Sequence, residues 1–184
     1  MITASQKRKE NIAEYLLYMW QIEDIIRANG LDIDRIRENV IDRYPSLTDD
    51  QRREMIGWYE SLIDMMRREG VEKTGHLQLN KNVIIQLAEL HQALLKDPRF
   101  PDYTAEFYRT LPYIVELRAK SGEEKSGEIE TCFNALYGML MLRLQGKEVT
   151  PQTQDAIRQI SRFIALLSHD FKLDEADQLF KNDD

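Results

Sequence analysis

Residues 5–29 read SQKRKENIAEYLLYMWQIEDIIRAN, with Gly30 directly after. Apolar residues recur at Ile12, Tyr15, Leu16, Met19, Ile22 and Ile26, the i, i+3, i+4, i+7 spacing that turns one face of a helix toward a core. Glycine supplies a left-handed stop. The stretch therefore predicts a long amphipathic helix, and one residue breaks its pattern. At ~100° per residue, Glu23 falls near the centre of the apolar arc instead of on the outer face with Glu14 and Gln21. A carboxylate buried there must be paired or protonated. Arg27, one turn on, is the expected partner.

The same period recurs outward from this segment. Asp32 opens a short helix through Ile33, Ile36, Val40 and Tyr44, ended by Pro45. Thr48 and Gln51 form a capping box before a stripe of Met55, Tyr59, Leu62, Ile63 and Met66. Residues 76–96 turn Leu77, Val83, Leu87 and Leu94 inward, and the run Asp97-Pro98-Arg99-Phe100-Pro101 breaks the helix. Residues 102–120 keep the helical period around Pro112, which removes the bond to the Tyr108 carbonyl and predicts a bend or split near Thr110 to Pro112. The linker at 121–127, SGEEKSG, is the one place for a subdomain boundary, and its brevity argues for a single domain over 1–184. Residues 128–145 are apolar on all sides and read as the central helix, with Gly138 as a close helix contact. Thr150 and Pro151 open the last long helix, which turns Ile157, Ile160, Ile164, Leu167 and Phe171 to the core, and the acidic end at 173–184 is expected to fray. No period-two strand pattern and no fixed repeat interrupts this series. The expected fold is all-α, a single-domain helical bundle of six main helices plus one short helix.

Composition narrows the partners. The 184 residues carry 25 Lys and Arg against 32 Asp and Glu, a net charge of −7 that disfavours nucleic acid and anionic membrane surfaces. The apolar run in 128–145 is shorter than the ~20 residues of a membrane span, and Asn134 and Arg143 interrupt it. The single cysteine, Cys132, excludes an intrachain disulfide and a multi-cysteine metal site, and it reads as packing. With seven Met and no signal-peptide pattern, a cytoplasmic location is expected.

Catalytic signatures are missing from the sequence. It holds no Glu-x-x-His pair of the kind that builds di-iron centres in bundles, no glycine-rich phosphate loop and no nucleophile elbow. No cofactor or metal is implied, and the chain leans away from an enzyme. Asn80 and His91 fall inside the apolar stripe of residues 76–96, as Glu23 does in its own helix. Glu23, Arg27, Asn80 and His91 are thus a candidate polar pocket between these two helices, or else a polar network that fixes their pairing. Tyr18 and Ile25 lie near the outer face and form a candidate exposed patch for a partner helix. Two functions follow: a non-enzymatic interaction or scaffold protein that self-associates as a homo-oligomer, or a small-molecule-binding protein using the polar pocket.

The segment QKRKENIAEYLLYMWQIEDIIRANGLDID, residues 6–34, resembles an uncharacterised bacterial family of all-helical proteins of about this length, a domain of unknown function. The resemblance runs along the whole chain. It implies one helical domain, and it carries no activity, substrate or catalytic residue.

Overall fold

A computed structural model describes residues 2–121 and 126–180. Eight α-helices follow one another: α1 Ile2–Glu10, α2 Ile12–Ala28, α3 Ile33–Asn39, α4 Asp49–Glu69, α5 Gln78–Lys96, α6 Pro101–Ser121, α7 Glu128–Leu144 and α8 Pro151–Glu175. A single 3-10 turn, Ile41–Arg43, follows α3. The all-helical expectation holds among the described residues, with two more elements than the sequence pattern gave.

The first additional break is at Asn11. Its backbone is extended, at φ −155° and ψ 108°, and its side chain accepts from the N–H groups of Ala13 and Glu14. Asparagine is among the best N-caps because its short side chain replaces the missing intrahelical acceptor. The periodicity of residues 5–29 crosses this position unchanged, which hides the break. The second is the 3-10 turn, which divides the segment read as one short helix. Pro112, by contrast, does not split its element, and α6 is assigned as helix throughout. Pro112 and Tyr108 are both exposed, so water can satisfy the carbonyl that proline leaves without a donor.

Two apolar cores meet at α2. Ile12, Leu16 and Trp20 pack with Leu87, Phe107, Phe133 and Phe163 of α5 to α8. Met19, Ile22 and Ile26 pack with Ile36, Ile41, Leu62 and Met66 of the α3–α4 side. At ~100° per residue the two sets form adjacent stripes on α2, and Glu23 lies near their boundary, between Ile12 and Leu16. The hub is therefore α2. The helix read as central, α7, buries Ile129, Cys132 and Phe133 in its first half, but its second half leaves Leu136, Leu140 and Met141 half-covered and Leu144 67% exposed. Gly138 is exposed with open space where a Cβ would stand, so it makes no close helix contact.

The linker expected at 121–127 falls mostly on residues 122–125, outside the described ones, and the tail beyond 180 does too. Helix α8 runs to Glu175, and Phe180 packs edge-on against Phe100 with ring centroids 5.6 Å apart. Among the described residues no helix is long and apolar enough to cross a membrane.

Candidate functional site

Helix α5 begins without a side-chain cap of its own, since its N-cap residue is Leu77. Four N–H groups at a helix start lack intrahelical partners, and here other helices supply the acceptors. Glu23, fully buried, takes the Leu77 N–H at 2.9 Å and the Asn80 Nδ2 amide at 2.7 Å on the same oxygen, Oε1. Its other oxygen accepts from His76 Nδ1 at 2.6 Å. Glu69 of α4 takes the Gln78 N–H at 2.6 Å. Two carboxylates thus stand at the positive end of the α5 macrodipole, where negative charge is stabilised.

Arg27 does not pair with Glu23. It donates to Asp24 Oδ1 at 2.9 Å and to the carbonyls of Val71 and Gly75, the latter a very close contact. Opposite charges one turn apart on α2 therefore hold opposite kinds of backbone group in the connection before α5: the carboxylate holds an N–H and the guanidinium holds carbonyls. His76 lies flat on Trp20, with ring centroids 4.1 Å apart and planes 13° from parallel, which closes the seam.

Of the four residues expected to share a pocket, the structure joins Glu23 and Asn80 directly, sends Arg27 to the loop carbonyls, and places His91 elsewhere. His91 Nδ1 hydrogen-bonds the Tyr103 hydroxyl at 2.7 Å, between the rings of Phe107 and Phe163. Burial holds its basicity below the ordinary histidine value, against a smaller opposing pull from Glu128. Sequence spacing puts Asn80 and His91 on one stripe, but they are three turns apart, and only the first turn of α5 reaches Glu23. The partner that periodicity missed is His76, which precedes the helix. Arg118 at the end of α6 donates to Thr131 Oγ1 at 3.1 Å on α7.

Tyr18 and Ile25 are half-buried and do not form a flat exposed patch. They line an open groove of about 630 Å³ walled by α2, α4, α7 and the segment after α3. Tyr59 and Met55 come from α4, Tyr44 and Leu47 from the α3–α4 connection, and Tyr137, Met141 and Leu144 from α7. At one end Tyr137 donates its hydroxyl to Asp24 Oδ2 at 2.6 Å. Burial, and then the Asp24 hydrogen bond, raise the Tyr137 pKa. Burial, followed by the nearness of Tyr18 and Tyr44, raises that of Tyr59. Tyr59 and Tyr137 therefore line the groove in their neutral form. Its presence was signalled by α7, whose apolarity extends over more of its surface than a core contact needs.

Among the described residues no group of three or more His, Cys, Asp or Glu is placed to hold a metal ion. Fold and site define an all-helical protein with a clamped polar seam on one side of its hub helix and an open apolar groove on another. The chain belongs to the family described as domain of unknown function DUF4924, whose model matches residues 1–178. No curated protein and no solved structure matches it.

Proposed function

We propose that the chain is a binding protein that takes a small amphipathic molecule in the groove between α2, α4 and α7. The observation that carries this reading is the groove's size together with its walls. A volume of about 630 Å³ lies within the ~300–1,000 Å³ of small-molecule sites, which are mostly apolar with a few convergent polar groups. Tyrosines give rigid faces with polar ends, and Met55 and Met141 adapt to irregular shapes. The Glu23 and Arg27 groups, which would serve a polar pocket, are engaged in holding the α5 connection.

The competing occupant is a second copy of the chain, which would cover the exposed Tyr44 and Leu144 of the rim. Titration with the neutral dye N-phenyl-1-naphthylamine separates the two. The expected result is saturable one-to-one fluorescence enhancement on a monomer, abolished by Ala28→Trp, which fills the groove from an exposed wall position. A dimer in sedimentation whose dissociation is needed before dye binds would assign the groove to self-association and overturn the proposal. So would dye binding unaffected by Ala28→Trp.

A further inference from the structure

The groove has a definite electrostatic sign. Among the described residues Asp24 is the one charged side chain on its walls, and its side chain is 47% exposed. Each Asp24 oxygen already accepts one hydrogen bond, from Arg27 and from Tyr137. A carboxylate offers about four lone-pair sites, so both oxygens keep acceptor capacity. Arg27 is poorly placed to serve an anion there: four of its five N–H donors go to Asp24 and to the Val71 and Gly75 carbonyls, its side chain is 16% exposed, and it does not line the groove.

Helix direction points the same way. The groove is lined by Ile25 and Ala28 in the last turn of α2, with Asp24 just before it, by Met141 and Leu144 in the last turn of α7, and by Val40, the C-cap of α3. A helix C-terminus carries roughly half a negative charge. No helix N-terminus contributes a first-turn residue to the wall, since Met55 lies in the second turn of α4. Arg43 and Arg143 are close in sequence but do not line it. Four tyrosines, Tyr18, Tyr44, Tyr59 and Tyr137, line the groove, and aromatic rings attract cations through their negative quadrupole. The whole chain, at −7, favours approach of a cation over an anion.

From this convergence we infer that the groove selects a small organic cation, an arylalkyl amine or quaternary ammonium, with its charge at Asp24 and its apolar body along the tyrosine and methionine walls. The inference rests on the binding reading above and adds the chemical class of the ligand.

The test uses three probes that each carry a phenyl ring on four methylenes: 4-phenylbutylamine, 4-phenylbutan-1-ol and 5-phenylpentanoate. They are titrated near neutral pH against the full chain, with the ε-methyl NMR signals of Met55 and Met141 as groove reporters and that of fully buried Met66 as the control. The expected order is amine, then alcohol, then acid. The amine's advantage over the alcohol should be about three- to tenfold, between an exposed ion pair and a hydrogen bond to a charged group. It should shrink with added salt and disappear in Asp24→Asn, which still binds the alcohol. The salt dependence needs no variant, so it remains decisive if Asp24→Asn is poorly folded. An alcohol that binds as well as the amine, or an acid that binds best, overturns the inference and leaves the binding reading intact. Failure of all three to move Met55 and Met141 overturns the binding reading itself.

Discussion

Replacing Glu23 by leucine removes the acceptor for three donors while keeping an apolar side chain of similar length between the two cores. Two of those donors, the Leu77 N–H and the Asn80 amide, are in buried hydrogen bonds. A buried donor left without a partner costs ~1–3 kcal/mol, so the pair amounts to about 2–6 kcal/mol. Removing the carboxylate also relieves its own desolvation, which brings the expected loss to about 2–4 kcal/mol. For a chain of this size that corresponds to a fall in Tm of roughly 5–15 °C. Urea unfolding should show the midpoint falling at unchanged slope. Glu23→Gln keeps one carbonyl acceptor and should lose less than Glu23→Leu.

The pair Glu23→Leu and Asn80→Leu sharpens the measurement. Both changes break the same 2.7 Å bond, so their costs should fall short of additivity by at least ~1 kcal/mol. Buried ionic clusters in other proteins have been replaced by apolar groups with no loss of stability. A Glu23→Leu chain as stable as wild type, or a strictly additive double variant, would refute the claim that this carboxylate fastens the start of α5 to α2.

Three further outcomes follow from the same geometry. Gly57 and Gly138 lie inside α4 and α7, are exposed, and have open space at the Cβ position, so Gly57→Ala and Gly138→Ala should each raise stability by ~0.5–1 kcal/mol in urea unfolding; a loss at either site would show an unseen contact there. Because burial lowers the folded His91 pKa below the ordinary 6.5, the unfolded chain binds more protons in the window below that value. The His91 contribution is complete above 6.5 and is lost as pH falls toward the folded value. The urea midpoint should therefore drop more between neutral and mildly acid pH in wild type than in His91→Gln, and equal slopes would count against it. Cys132 is fully buried and its thiol is pushed up to about 12, so iodoacetamide near pH ~8 should modify it only as fast as the chain opens; immediate stoichiometric labelling would contradict that burial.

Helix positions were legible in the sequence because each segment repeats its apolar residues with one period and ends in Gly, Pro or a capping residue. The break at Asn11 was not, since the period runs through it and only the backbone turns. Glu23 was legible as a buried carboxylate, and its link to Asn80 was within reach of the same reasoning. Its partner His76 was not, because a residue in a connection belongs to no stripe. Arg27 was misassigned for a related reason: spacing along a helix ranks the neighbour one turn away, whereas the connection packed beside α2 offers the Val71 and Gly75 carbonyls, which a guanidinium can reach from the same position. His91 followed a stripe correctly to the core and reached Tyr103, because one face of a nineteen-residue helix passes more than one neighbour.

Polar residues out of place and apolar residues in excess point in different directions here. Glu23 and Arg27 interrupt the apolar face of α2, and the structure employs both in closing the connection to α5, where buried backbone groups need partners. The surplus apolar surface of α7 has no such internal use. Its first half fills the core with Phe133 and Cys132, while its second half meets α2 where that helix is ending and the chain turns away through Gly30. Two helices that both stop at this point leave their final turns uncovered on one side, and the short α3 and its 3-10 turn cover only part of the opening. The groove is therefore a consequence of where α2 and α7 end, and the same endings give it a negative potential. A sequence change that lengthened α2 past Gly30 would close the groove and weaken its cation preference together.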